Sequence, residues 1–269
     1  MAELRWHPLI KDWVMIASHR QNRPQMPKDW CPFCPGSGKV PDHYEVYKYD
    51  NDFPALSQEP PMPDDVSTSF YKTAEAYGKC EVILYSPDHN SSFCQFSIEH
   101  IVKIINLWTE RFIELKKDER IKYIFIFENR GEMVGVTMPH PHGQIYGYPF
   151  IPKKLKLELE SCKEYHEANG SCLICDMLKD EMTSADRVIF ENEDFLVFLP
   201  FFTEYPYGMY IASKNHKLNL AQFNEKGKAN LARALKETTG TLDALFGFEF
   251  PYMMCMHQNP VNSGDYSKI

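Results

Sequence analysis

Two C-x-x-C pairs, Cys31/Cys34 and Cys172/Cys175, stand about half the chain apart, and the same order of elements follows each. After each pair comes an Asp-Phe expected to open a strand (Asp52-Phe53, then Asp194-Phe195) and an apolar strand (Glu81 to Tyr85, then Gly208 to Ile211). A Ser-x-x-His follows (Ser86 to His89, then Ser213 to His216), and after it a Phe-led amphipathic helix. Ile98, Ile101, Val102, Ile105, Trp108, Phe112 and Leu115 recur at helical spacing in the first copy, as do Leu231, Ala234, Leu235, Leu242 and Leu245 in the second. A β run closes each copy, Tyr123 to Glu128 and Pro251 to His257. Strands and helices in this order argue an α+β unit, an antiparallel sheet with helices on one face, present twice. We place the units at residues 1–152 and 153–269.

Composition narrows the class. Of 269 residues, 43% are hydrophobic and 14% aromatic, enough to bury a core, yet no run of 18 apolar residues is present to span a membrane. The start, Met1-Ala2-Glu3-Leu4-Arg5, lacks the apolar stretch of a secretory signal. A reducing, cytoplasmic setting is therefore expected, with the eight cysteines as thiols or metal ligands rather than disulfides. A formal net charge of −8 disfavours a nucleic-acid coat, so an anionic ligand must be met by local cations and oriented N–H groups. Arg20 and Arg23, in a Pro-rich loop, are candidates.

The segment Pro139-His140-Pro141-His142-Gly143-Gln144 carries the chemistry. Pro141 fixes φ and disfavours helix for His140, so the segment is extended. The two imidazoles are expected on opposite sides, one holding a metal and the other facing a substrate. His142 is the candidate nucleophile. Gly143 is read as letting the backbone approach a phosphate, and Gln144 as an amide donor to a non-bridging oxygen.

Phe127-Glu128-Asn129-Arg130-Gly131, then Gly135-Val136-Thr137-Met138 running into that segment, resembles the active-site signature of the galactose-1-phosphate uridylyltransferase family. That family consists of tandem-repeat members of the histidine triad superfamily. Further matching stretches are Arg5-Trp6-His7-Pro8-Leu9, Ser18-His19-Arg20-Gln21-Asn22-Arg23-Pro24, Cys31-Pro32-Phe33-Cys34, Asn51-Asp52-Phe53-Pro54-Ala55-Leu56 and Ser86-Pro87-Asp88-His89. The resemblance implies that Asn51 and Asp52 hold the ribose and base region, and that Asn129, Gly135 and Thr137 lie near the phosphates. Arg20 and Arg23 would meet diphosphate or hexose phosphate. The plain reading of Asn51-Asp52 is a polar turn beside a strand, and of the two arginines, solvated loop charges.

Cys31 and Cys34 sit in a tight knuckle whose two thiolates suit tetrahedral zinc, with His89 and His140 as the natural remaining ligands. The resemblance carries the same four positions. A closed Cys₂His₂ set makes the zinc structural; the bland alternative is a reduced turn with no metal. Cys172, Cys175 and His216 form a second constellation, for a second metal ion, zinc or iron. In the first copy the motif histidine lies eleven residues beyond Asn129, so a second His-x-His is expected just after residue 269, and the chain reads as lacking a C-terminal segment. Some relatives instead build an iron-like site, of which Glu158 and His257 match two positions; Glu158 also reads as an exposed helix carboxylate.

A neutral imidazole of His142, oriented through its other nitrogen, can attack the α-phosphorus of a nucleotide sugar and expel hexose 1-phosphate. Related hydrolases place a histidine where Gln144 stands, to protonate a poor leaving group. A sugar phosphate leaves as a stabilised anion, so Gln144 fits phosphate-for-phosphate exchange. The leading expectation is UMP exchange between UDP-glucose and galactose 1-phosphate by ping-pong kinetics through a uridylyl-histidine. The resemblance also implies a homodimer in which each site borrows residues from its partner. The alternatives are a nucleotide-sugar phosphorylase or other nucleotidyltransferase, and a non-catalytic zinc-stapled nucleotide-binding module.

Overall fold

The computed structural model describes residues 2–22 and 30–269. In chain order the first half contains β1 (Ala2–His7), β2 (Asp12–Ala17), β3 (Tyr47–Asp50), β4 (Thr73–Glu75), β5 (Lys79–Leu84), α1 (Ile98–Leu115), β6 (Tyr123–Arg130) and β7 (His142–Tyr148). The second half contains α2 (Lys153–Asn169), α3 (Leu173–Ser184), β8 (Val188–Glu191), β9 (Phe195–Phe198), β10 (Tyr210–Ser213), α4 (Glu225–Phe246) and β11 (Tyr252–Met256). The class is α+β, with antiparallel sheets backed by helices.

The main sheet has five antiparallel strands in the order β11-β6-β7-β5-β3. One face is covered by α1, whose buried stripe Ile101, Ile104, Ile105, Trp108, Phe112 and Leu115 packs on Ile83, Ile124, Ile126 and Ile145 of the strands. Ser97 caps that helix, its side chain accepting from the His100 N–H, and Asn224 caps α4 in the same way through Gly227. Between α1 and β5 runs a buried ion pair: Arg111 donates through Nε (2.9 Å) and Nη2 (2.8 Å) to the fully buried carboxylate of Glu81. On the other face, the small sheet β2-β1-β4 packs Ala2 and Leu4 against the Cys80 and Tyr146 end.

Three expectations need correction. The repeat does not give two separate sheets with helices on one face. β11, the counterpart of β6, pairs antiparallel with β6 itself and so joins the first-half sheet, while β10-β9-β8 form a sheet of three. β9 is buried on both sides: Phe195 and Val197 face α4, and Leu196 and Phe198 face Leu178 of α3. Asp52-Phe53 does not open a strand. It follows β3 in a turn where Asn51 Oδ1 accepts from the Phe53 N–H at 2.9 Å, a local bond that competes with ladder pairing. The second apolar strand starts at Tyr210 rather than Gly208, because Gly208 N–H is taken up by Tyr205 O in a turn.

No described helix is long and apolar enough to cross a membrane. All eight cysteines are free.

Candidate active site

Register places the site. Across the face of the sheet away from α1, Tyr49, Val82, Gln144, Phe127 and Cys255 align in one row on β3, β5, β7, β6 and β11. One step along lie Tyr47, Leu84 and His142, and the same register, extended two residues past the Phe127–Gln144 pair, aligns Asn129 with His142. On the other side lie Cys80, Tyr146 and Phe125. His142, Gln144 and Tyr146 alternate onto this face because residues two apart on a strand point the same way.

His142 opens β7, and its Nδ1 lies 2.8 Å from the carbonyl oxygen of His140. A carbonyl only accepts, so Nδ1 carries the proton and the lone pair sits on Nε2. Tyr146 donates its hydroxyl to Gln144 Oε1 at 3.2 Å, which turns the Gln144 amide NH₂ toward the site as a donor.

His140 is wholly buried just before the strand. Its Nε2 donates to the carbonyl of Ser86 at 2.7 Å, which leaves the Nδ1 lone pair directed at Cys31 Sγ (3.6 Å) and Cys34 Sγ (3.7 Å). His89 Nδ1 lies 3.6 Å from Cys34 Sγ, and all four donor atoms lie within 4.8 Å of one another. A tetrahedron with zinc bonds of about 2.0–2.3 Å has edges of roughly 3.3–3.8 Å, and the three separations of 3.6, 3.7 and 3.6 Å fall in that range, so the set is compatible with a zinc ion. The electrostatics agree. Burial, then the neighbouring Cys31, raises the Cys34 thiol to about 11, and burial lowers His140 to about 4. A second thiolate is unfavourable there until a divalent cation offsets it, and the neutral imidazole is the ligating form.

The expectation that the two imidazoles take opposite sides is corrected. Both ring systems pack on Phe33, at centroid distances of 6.0 Å for His140 and 6.4 Å for His142. They share a face and divide laterally, as i and i+2 in extended chain must. The reason for glycine at 143 also differs from the expectation. A Cβ there would come within 2.0 Å of the Tyr85 hydroxyl on the helix-covered face, so its role is close packing below the sheet.

The other candidates fall around this centre. Asp52 accepts from Tyr49 at 2.9 Å and, with Asn51, borders the Cys80 end of the face. Gly135 and Thr137 are exposed on the loop joining β6 to His140. Arg20 stands near enough to Cys80 for its charge to favour the thiolate there, against a larger effect of burial. Arg23 lies outside the described residues. The second set also gathers: Cys172, Cys175 and His216 lie within 4.8 Å of one another, with Cys175 Sγ 3.4 Å from His216 Nδ1 and His216 Nε2 donating to Ser267 O at 3.2 Å. Glu158 is no bare surface carboxylate, since its Oε2 accepts from His257 Nδ1 at 2.7 Å; among the described residues no third ligand joins this pair.

Sequence reasoning missed Phe33 as the shared wall, Tyr146 as the orienter of Gln144, and Tyr44. The Tyr44 hydroxyl lies 2.7 Å from Phe33 O and 3.2 Å from His140 Nε2, bracing the His140 ring. Period-two counting from Gln144 would have found Tyr146; nothing local marks Tyr44.

Comparison with known proteins completes the picture. Residues 1–152 match the family model described as galactose-1-phosphate uridyl transferase, N-terminal domain, and residues 158–268 match that of its C-terminal domain. The galactose-1-phosphate uridylyltransferase of Thermotoga maritima is 38% identical over 268 residues, covering 99% of this chain and 84% of that one. A solved uridylyltransferase structure superposes with a TM-score of 0.88 at 29% identity, covering 96% of this chain and 81% of that one. An ADP-glucose phosphorylase from Arabidopsis thaliana, solved with bound ADP-glucose, shares the fold with a TM-score of 0.76 at 24% identity, covering 100% of this chain and 85% of that one.

Proposed function

The chain belongs to the galactose-1-phosphate uridylyltransferase family and exchanges UMP between UDP-glucose and galactose 1-phosphate, and we propose that the exchange passes through a covalent uridylyl group on His142. One observation carries this reading: the Nδ1–H of His142 is held by the His140 carbonyl, which fixes the tautomer with its lone pair on Nε2.

Nε2 attacks the α-phosphorus of UDP-glucose, the bond to the leaving oxygen breaks, and glucose 1-phosphate departs with that electron pair. A phosphate oxygen of galactose 1-phosphate then attacks the same phosphorus and displaces Nε2, giving UDP-galactose and restoring the imidazole. The Gln144 amide, with Thr137 and the local backbone, donates to the non-bridging oxygens, and the His140 carbonyl stabilises the positive charge on the modified ring. Neither leaving group needs a proton, so no acid is required where Gln144 stands. Asn51 and Asp52 bind the nucleoside, Asn129 and Gly135 line the phosphates, and Arg20 and Arg23 meet the anionic sugar phosphate.

Cys31, Cys34, His89 and His140 hold a structural zinc, which supplies rigidity beside the nucleophile. Cys172, Cys175 and His216 hold a second ion; two sulfurs and an imidazole favour zinc over iron. The protein acts as a cytoplasmic homodimer of two-unit chains, divided at residues 152 and 153.

Labelled glucose 1-phosphate incubated with UDP-glucose and enzyme alone tests the mechanism. Label entering UDP-glucose without galactose 1-phosphate is expected, since the first half-reaction is reversible by itself. Turnover only with inorganic phosphate would favour the phosphorylase reading, and binding without exchange the binding-module reading.

A further inference from the structure

A buried cluster beneath the nucleophile plays no part in the chemistry above. Glu128 lies on the helix-covered face of β6, 6% exposed, and its Oε1 accepts from the Tyr252 hydroxyl of β11 at 2.6 Å. The phenol of Tyr85, which follows β5 and is itself 1% exposed, stands beside the same carboxyl. Tyr85 Oη and Glu128 Oε2 are both inaccessible and neither completes a hydrogen bond of normal geometry in the structure, so each is the natural partner of the other.

Tyr85 reaches the nucleophile strand twice. Its N–H donates to the Pro141 carbonyl at 3.0 Å, and its hydroxyl fills the space that a side chain at residue 143 would take. The adjoining Ser86 carbonyl holds His140. The ring is fixed from behind by Phe93 and Trp108, at centroid distances of 5.6 and 5.9 Å. Pro141, His142 and Gly143 are thus seated on one phenol, which is seated in turn on a carboxyl tied to the second half of the chain.

We propose that Tyr85 and Glu128 are positioning residues for His142: they set the height and tilt of the strand start, and so the bond from His142 Nδ1 to the His140 carbonyl. Positioning here works through hydrogen bonds and packing rather than through charge. The charged groups on this side of the sheet are Arg130 on the same strand, itself paired with Asp243 of α4 at 2.8 Å and lying 3.7 Å from Glu249, and Glu81 of β5, paired with Arg111 of α1 at 2.8 Å; β11 contributes the Tyr252 phenol and the residue after β5 the Tyr85 phenol. The inference rests on the uridylyl-transfer reading for its kinetic consequence but not for its structural one.

Tyr85→Phe, Glu128→Leu and Glu128→Gln in the full chain test it. Displacing a reacting group by about 1 Å can lower rate roughly a hundredfold, so a smaller shift is expected to cost roughly tenfold to a hundredfold. Tyr85→Phe and Glu128→Leu are expected to lower kcat by that much, with KM for UDP-glucose and bound metal close to wild type. Glu128→Gln, which keeps a donor and an acceptor, should recover most of the loss. Nitrogen-15 NMR of the histidines should show a single Nδ1–H tautomer for His142 in wild type and a mixture in Tyr85→Phe and Glu128→Leu. An unchanged tautomer with unchanged kcat, or a kcat loss that tracks metal loss, would overturn the proposal. A wild-type protein with the tautomer shift between variants but no exchange activity would overturn the functional reading instead, leaving the positioning role standing.

Discussion

At the scale of single residues the two motif histidines divide one task. His140 spends Nε2 on the Ser86 carbonyl and offers Nδ1 to the two sulfurs, whereas His142 spends Nδ1 on a carbonyl and keeps its lone pair on Nε2. His142→Gly should therefore abolish transfer with bound metal unchanged, and His140→Ala should lose metal and stability together; metal analysis beside melting curves would show it. Equal metal loss in both variants would contradict the division. Glu128 sets a second test. Burial, only partly offset by the Tyr252 and Tyr85 hydroxyls, raises its carboxyl to about 7. The folded state thus holds this proton more tightly than the unfolded chain, and stability should fall as pH rises from about 4.5 to 7, by about 3 kcal/mol from this group. Glu128→Gln should flatten that slope in melting curves taken across the window. The His-x-His pair, Gln144 and the C-x-x-C knuckle, which the structure brings to one region, were legible in the sequence because each is a local pattern of unusual residue types. Tyr44, Tyr85 and Glu128 were not, since their roles depend on which strand lies beside which.

At the scale of elements, periodicity located α1 and α4, and the helix-like spacing from Ile98 to Leu115 corresponds to α1, while α2, with its weaker apolar stripe, and the edge strand β3 were not found that way. It failed where local hydrogen bonding overrides pattern, as at Asn51, whose side chain closes a turn before Phe53. It also could not place β11, because pairing with β6 joins segments more than 120 residues apart in sequence. The clasp between α1 and β5 is the element-scale prediction. Arg111→Met leaves the Glu81 carboxylate buried and unpaired, and should destabilise the protein by roughly 3–5 kcal/mol in denaturant unfolding. Adding Glu81→Leu to that variant should recover much of the loss. A single variant within about 0.5 kcal/mol of wild type would mean that the pair is not a clasp.

At the scale of the whole molecule the largest of four hydrophobic clusters among the described residues spans both halves of the repeat. Ile83, Trp108 and Ile126 of the first half share a cluster with Phe195, Leu231 and Leu235 of the second, and the main sheet takes its edge strand from the second half. Heat unfolding followed by near-ultraviolet circular dichroism should accordingly show one transition; two well-separated transitions would mean that the halves are independent. The central claim, a covalent intermediate on His142, is tested most directly by intact-protein mass spectrometry after brief incubation with UDP-glucose. The account predicts a mass increase of one uridine monophosphate in the wild type and none in His142→Gly. The same adduct on both proteins, or no adduct on a wild type that turns over, would contradict it.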